Sequence, residues 1–377
     1  MHSRNTVFGR KVLTALGLAF IGLAGSLSAA TLYDQTNLTS DISGLAANTD
    51  PNLKNPWGMS FSATSPFWVS DQVTNVSTLY NGAGTPQALI VGTPPSPTGQ
   101  VFNASSSSFN LPTGGPALFI FDSLSGTISG WNAAQGTTAA TVFTATDGAA
   151  FTGLANASNS SGNFLYAADF ANGRIDVFNG NFGLTTLAGS FTDPNLPAGY
   201  SPYNIQTVGG KLYVEYDAVD PVTHRPTTTA NTGVVDVFDT NGNFLQRLVT
   251  NTHLDSPWGI TQAPGTFGSF GGDILVGNFG DGTISAFDPT SGAFLGTLSN
   301  SSGNPIVNGG LWALDFRAPG SGFDSNALFF TAGINNQADG LFGELTVATP
   351  EPSTLVLLGM GLAGLGLIRR RTRVSRT

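Results

Sequence analysis

Cysteine is absent from the 377 residues. Its absence rules out a disulfide framework, Cys-ligated zinc, an iron–sulfur cluster and a Cys nucleophile. Histidine is nearly as scarce, with only His224 and His253 between Thr31 and Thr349, so a three-His catalytic zinc is excluded by count. Only 10% of residues are charged, against about 25% in ordinary globular chains. The span 31–349 carries six basic residues (Lys54, Arg174, Lys211, Arg225, Arg247, Arg317) against 22 acidic ones, a net charge of −16. A body this acidic repels phosphate backbones, which argues against nucleic-acid binding. There is no GxSxG, HExxH, P-loop or dinucleotide fingerprint, and the segment Asp273–Asp281 lacks the alternating ligands and terminal Glu of an EF-hand loop. No residue is assigned a catalytic role.

Glycine is abundant instead, at 49 residues, and its placement is periodic. The stretch Ser256–Leu298 reads as four short strands joined by tight turns. Pro257 opens a strand, Gly271-Gly272 turns the chain, and Asp281-Gly282 is a strong hairpin signal. Thr283–Phe287 alternates polar and apolar residues as a two-faced strand does.

Approximate copies recur along the chain. Asn278 stands nine positions before Phe287, and the same spacing joins Asp71 to Tyr80, Asp122 to Trp131 and Asp169 to Phe178. A stretched copy runs from Tyr213–Tyr216 to Val234–Asp239, and a degenerate one from Leu328–Thr331 to Gly340–Leu345. Opening motifs repeat as Pro56-Trp57-Gly58, Pro202-Tyr203-Asn204, Pro257-Trp258-Gly259 and Leu311-Trp312-Ala313. Four antiparallel strands in about 45 residues make one propeller blade. The expected fold is therefore all-β, a six-bladed β-propeller of NHL-like type over residues 31–349, with five blades as the alternative count. The segment Thr31–Asp41 has no blade of its own and is expected to complete the last blade and close the ring, which removes exposed edges.

The two ends of the chain read differently. Residues 1–30 combine Arg4, Arg10 and Lys11, the apolar run Val12–Ala24 and the small residues Ser28-Ala29-Ala30. That order is a secretory signal peptide cleaved by signal peptidase after Ala30. At the other end Pro350-Glu351-Pro352-Ser353 precedes the apolar segment Thr354–Ile368, and Arg369, Arg370, Arg371 and Arg373 follow. An apolar run this short is a marginal span, expected as a short hydrophobic transmembrane helix with its Arg cluster on the cytoplasmic side. This order resembles the PEP-CTERM sorting signal. The resemblance implies export from a Gram-negative bacterium, transient anchoring in the inner membrane, and processing near Pro350, Glu351 and Pro352 by an exosortase. The propeller body, densest over 234–345 (SPWGIT, DILVGNFGDGTISAFDPTSGAFLGTL, GNPIVNGGLWAL, FFTAGINNQADGLFGEL), resembles a family of exported propellers that often carry such tails. That family's fourth-blade insertion is usually more acidic, with a His-Asp-Asp run, whereas here the insertion Asp217–Asn231 reads His224-Arg225-Pro226.

Two functional readings come from different classes. In the first, an exported, non-enzymatic propeller presents loops to extracellular polysaccharide or a surface protein, with Trp57, Tyr203, Trp258 and Trp312 as aromatic platforms at the channel mouth or as wedges between blades. In the second, Asp71, Asp122, Asp169, Asp217 and Asn278 occupy equivalent places after each second strand. If Asp71, Asp169 and Asn278 converged on the axis they would form an oxygen-rich calcium site, as a lactonase- or phosphotriesterase-type hydrolase requires. The competing role for these side chains is to cap their own hairpins by Asx-type hydrogen bonds.

Overall fold

The computed structural model describes residues 31–349. The expected signal peptide, the sorting residues Pro350, Glu351, Pro352, Arg369, Arg370 and Arg371, and the expected C-terminal helix lie outside the described residues. Among the described residues no helix is long and apolar enough to cross a membrane.

Six sheets follow one another around a ring, antiparallel except where the short strand Asn48–Thr49 adds parallel to the outer edge of the sixth. Blade 1 comprises Pro56–Ser60, Phe67–Asp71, Val76–Tyr80 and Val91–Gly92, and blade 2 comprises Pro97–Phe102, Phe119–Ser123, Thr127–Trp131 and Ala140–Thr144. Blade 3 is Phe151–Asn159, Gly162–Asp169, Arg174–Asn179 and Leu184–Thr185. Blade 4 is Tyr200–Val208, Lys211–Ala218, Val234–Phe238 and Phe244–Thr250. Blade 5 is Pro257–Gln262, Ile274–Asn278, Ile284–Phe287 and Phe294–Thr297, and blade 6 begins with Leu311–Phe316, Leu328–Ala332 and Leu341–Val347. Its fourth strand is Tyr33–Ser40, paired antiparallel from Tyr33 opposite Val347 to Ser40 opposite Leu341. The ring is thus closed by the N-terminal strand, as the sequence predicts. Ser40 Oγ donates to the Gly340 carbonyl at 2.7 Å and Gly340 N–H donates to Asp41 Oδ1 at 2.8 Å, which ties the strand's end into blade 6.

The apolar residues do not form one core. Six clusters fill the wedges between neighbouring blades, because successive residues of each second strand point to opposite neighbours. Phe67 and Val69 face blade 6, for example, while Trp68 stacks on Phe119 of blade 2 at 4.1 Å.

The innermost strands converge at the axis, and in blades 1, 2, 3 and 5 glycine is required there. Gly58, Gly99, Gly153, Asn204, Gly259 and Ala313 occupy one ring of equivalent positions. A Cβ on Gly99 would come within 2.3 Å of the Leu154 nitrogen, and one on Gly259 within 2.2 Å of the Trp312 carbonyl oxygen. Only a residue without a Cβ lets adjacent backbones come this close. Gly259→Ala is therefore expected to lower stability by about 1–3 kcal/mol, read from the denaturation midpoint. Gly265→Ala, with open space around its Cβ, should leave the midpoint unchanged. Equal midpoints for the two variants would contradict the tight axis.

Candidate functional site: the plugged axis

Every innermost strand carries a one-residue register shift near its start, between Pro56 and Met59, Pro97 and Gln100, Phe151 and Leu154, Pro202 and Asn204, Pro257 and Gly259, and Leu311 and Leu314. Such bulges re-aim a side chain. Here they sit at Trp57, Thr98, Thr152, Tyr203, Trp258 and Trp312. The four aromatic rings meet on the axis. Trp57 stacks on Trp312 at 3.7 Å, and Trp258 meets Trp312 edge-on at 5.5 Å. Tyr203 lies 6.3 Å from Trp57 and 6.1 Å from Trp312. Blades 2 and 3 supply threonine instead, whose hydroxyls are spent on the framework. Thr98 Oγ1 donates to Asp122 Oδ1 at 2.7 Å and Thr152 Oγ1 to the Ala168 carbonyl at 3.2 Å.

The plug is covered as well as packed. Phe170, Phe279, Leu124 and Val219, from the turns after four second strands, pack over it. Phe279 stacks on Trp312 at 4.3 Å. Trp258 Nε1 donates to the Thr152 carbonyl across the ring at 2.9 Å, and Trp312 Nε1 donates to Asn55 Oδ1 at 2.9 Å. None of the four rings is more than 5% exposed. The expectation of aromatic platforms at an open mouth is therefore corrected for Trp57, Tyr203, Trp258 and Trp312. Their faces are taken by one another: Trp312 packs against Trp57 and Trp258 of the two adjacent blades, as wedges would, and Trp57 also meets Tyr203 and Trp258 across the axis. Below the plug the axis holds a cavity of about 20 Å³ beside Gly58, Gly99, Asn204 and Gly259, on the scale of a single water.

The repeated carboxylates fall into two sets. Asp71, Asp169 and Asn278 pair with Pro56, Phe151 and Pro257 and face the preceding blade. In blade 2 it is Ser123, and in blade 4 Tyr216, that takes this place. Asp122 and Asp217 stand one position away, before and after it, and face the following blade. The expected equivalence of all five is thus corrected: for Asp122 the equal spacing to the third strand hides a one-residue difference in the hairpin, and for Asp217 the insertion removes that spacing. Nor do the three equivalent residues converge. Asp71 Oδ2 accepts from Thr78 Oγ1 at 2.7 Å, and Asp169 Oδ2 accepts from Asn172 Nδ2 at 2.7 Å. Asn278 Oδ1 accepts from the Asp255 N–H at 3.0 Å while its amide donates to Thr283 Oγ1 at 3.1 Å. Among the described residues no three His, Asp or Glu side chains gather closely enough to hold a metal ion together.

Burial dominates the electrostatics. It pushes Asp122, Asp217 and Asp315 each up to about 7. Glu215 is wholly buried on the face of blade 4 that looks at blade 5. Neither of its oxygens has a hydrogen-bond partner among the described residues, and burial raises its pKa far above the usual carboxylate range. The sequence singles Glu215 out only by glutamate's rarity. The two histidines stand apart from the axis. His253 stacks on Phe294 at 3.6 Å, and His224 sits exposed in the blade-4 insertion, where Asp220 Oδ1 accepts from the Val222 and Thr223 N–H groups.

A six-bladed propeller whose axis is closed by aromatic rings defines the class of protein. The PEP-CTERM protein-sorting motif matches residues 348–371, which implies an exported protein and exosortase-type processing. The chain is 32% identical over 338 residues to uncharacterized protein R648 of Acanthamoeba polyphaga mimivirus, covering 85% of this chain and 82% of that one. It is also 32% identical over 345 residues to uncharacterized protein L690 of the same virus, covering 86% and 89%. The chain belongs to the family of these two proteins. Among solved structures, virginiamycin B lyase from Staphylococcus aureus is similar at a TM-score of 0.48 and 12% identity, covering 84% of this chain and all of that one. A comparison at this level supports no inference about activity.

A raised carboxylate pKa makes stability fall with rising pH. The contribution of Asp122 is complete below its ordinary value near 3.8 and is lost as pH rises through about 7. Asp122→Asn should therefore gain on the parent protein as pH rises, its melting temperature relative to the parent being about 2 °C or more higher at pH 8 than at pH 5. A difference that does not change between these pH values in thermal scans would refute the buried, raised acid.

Proposed function

We propose that this protein is an exported, non-enzymatic propeller that acts at the cell surface or in the extracellular matrix, where it binds polysaccharide or a surface protein. The match to the PEP-CTERM sorting motif at residues 348–371 carries the reading. The resemblance of residues 234–345 to exported propellers points the same way. The closed axis supports it too. A cavity of about 20 Å³ is far below the roughly 300–1,000 Å³ of small-molecule sites, so recognition falls to the loops and the outer face. Signal peptidase would remove residues 1–30. An exosortase-type enzyme would cut near Pro350, Glu351 and Pro352 while the segment 354–368 holds the chain transiently in the inner membrane and Arg369, Arg370 and Arg371 remain on the cytoplasmic side.

The calcium-dependent hydrolase reading required Asp71, Asp169 and Asn278 to converge. Each is engaged within its own blade's turn region, and no observation favours that reading.

Replacing Pro350, Glu351 and Pro352 together by Ala should leave an unprocessed chain in the membrane fraction, larger than the mature form by the tail. The processed protein should be retained specifically on isolated exopolysaccharide or on intact cell surfaces. Absence of retention on every surface polymer and partner tried would overturn the binding role.

A further inference from the structure

At the end of the axis opposite the plug, a groove runs outward along the boundary of blades 2 and 3. Three depressions make it up. The first, about 190 Å³, lies at the ends of the innermost strands beside Phe61, Gln100, Gln206 and Asp315. It shares Phe102 and Asn156 with the second, of about 510 Å³, which shares Asn163 and Phe164 with a third of about 320 Å³. The larger two fall within the size range of binding sites for small molecules or single polymer units.

The wall is the loop 103–108, and it is held in place. Asn103 Nδ2 donates to the Ala117 carbonyl at 2.8 Å, and its Oδ1 accepts from the Ser105 N–H at 2.9 Å. Ser108 N–H donates to Ser105 Oγ at 3.0 Å. Asn163 Nδ2 of blade 3 reaches across to Ser108 Oγ at 3.0 Å, which binds the loop to the neighbouring blade. With the framework satisfied this way, Ser106, Ser107, Ser161 and Asn181 remain exposed. Their side chains make no hydrogen bond among the described residues. Phe102 lies half-buried where the first two depressions meet.

The groove is almost free of charge. No Lys, Arg, Asp or Glu lines the second or third depression, and Asp315 alone touches the first. None of the six basic residues of the span 31–349 lies in it. We propose that the groove binds a neutral polysaccharide. The apolar face of a sugar ring would rest on Phe102, and free hydroxyl and amide groups would meet the sugar hydroxyls. An anionic polymer would find no cation there and would face a body of net charge −16. This inference rests on the surface-binding reading and names its ligand class and site.

The test uses the purified full-length chain in mild detergent, with affinity electrophoresis through gels containing dextran, laminarin, galactomannan or alginate. Retardation by at least one of the three neutral polymers and none by alginate is expected. Ser106→Glu combined with Ser107→Glu, on exposed positions, should weaken that retardation about tenfold or more with an unchanged melting temperature. Phe102→Ala should do the same, and if it fails to fold the serine pair carries the test. Neutral-polymer binding unaffected by the serine variants would overturn the groove as the site. Binding to alginate alone, or to a surface protein in a manner the variants abolish, would overturn the neutral ligand and leave the surface-binding role standing. No retention on any of these or on intact cells would overturn both.

Discussion

The constraint on which this structure depends is the close approach of six backbones at one axis. Around the ring, residues without a side chain stand where neighbouring strands leave no room for a Cβ. On Gly153 that atom would fall 2.0 Å from Asn204 Oδ1. Interiors pack to the density of organic crystals, and here four of the six positions are glycine, while Asn204 and Ala313 contribute side chains. This leaves an axial cavity of about 20 Å³. It also forces the large aromatics to the end where the strands begin to diverge.

The aromatic plug follows from that geometry. A bulge in each innermost strand turns one side chain inward. Four blades use the position for a ring and two for threonine, and the difference in size lets Trp57, Tyr203, Trp258 and Trp312 interlock. Two indole N–H groups tie the plug to the frame, Trp312 held by Asn55 and Trp258 by the Thr152 carbonyl across the ring, while the Trp57 N–H is buried without a partner among the described residues. Gly333 belongs to this arrangement, because a Cβ there would lie 2.0 Å from Asn55 Oδ1. Burying carboxylates between blades is costly unless they are protonated or hydrogen-bonded, and Asp122, Asp217 and Glu215 respond with raised pKa values. The axial channel is thereby filled, and the larger depressions lie at the opposite end of the axis and along blades 2 and 3. There the uncharged groove beside Phe102 offers hydroxyls and amides.

Much of this was legible from residue order. The nine-residue spacing from Asp71 to Tyr80 and from Asn278 to Phe287 marked the second and third strands, since a tight hairpin fixes the distance between them. The lone N-terminal strand and the short last blade implied each other, because two unpaired edges in one ring call for pairing. Less visible were Pro97-Thr98-Gly99 and Phe151-Thr152-Gly153, which occupy the same place as Pro56-Trp57-Gly58 without its tryptophan. The equivalence of Asp122 with Asp71 was misread because a hairpin one residue shorter leaves the spacing to the third strand unchanged, yet turns the side chain to the other neighbour.

By itself the sequence determined the repeat, the closing strand and the acidic, thiol-free character of the body, since these depend on local turn chemistry and composition, while the six sheets of the ring settled the count between six blades and five. The sorting motif was equally local. Only the tertiary structure decided where the side chains go. Whether Trp57 and its counterparts face solvent, a neighbouring blade or one another depends on bulges that no local pattern announces. Whether Asp71, Asp169 and Asn278 converge depends on which blade each strand faces. The groove joins the loop 103–108 to residues of blade 3 some 50 positions later, Asn156 and Asn163 among them. Such a surface exists only once the ring has closed and brought the two blades side by side.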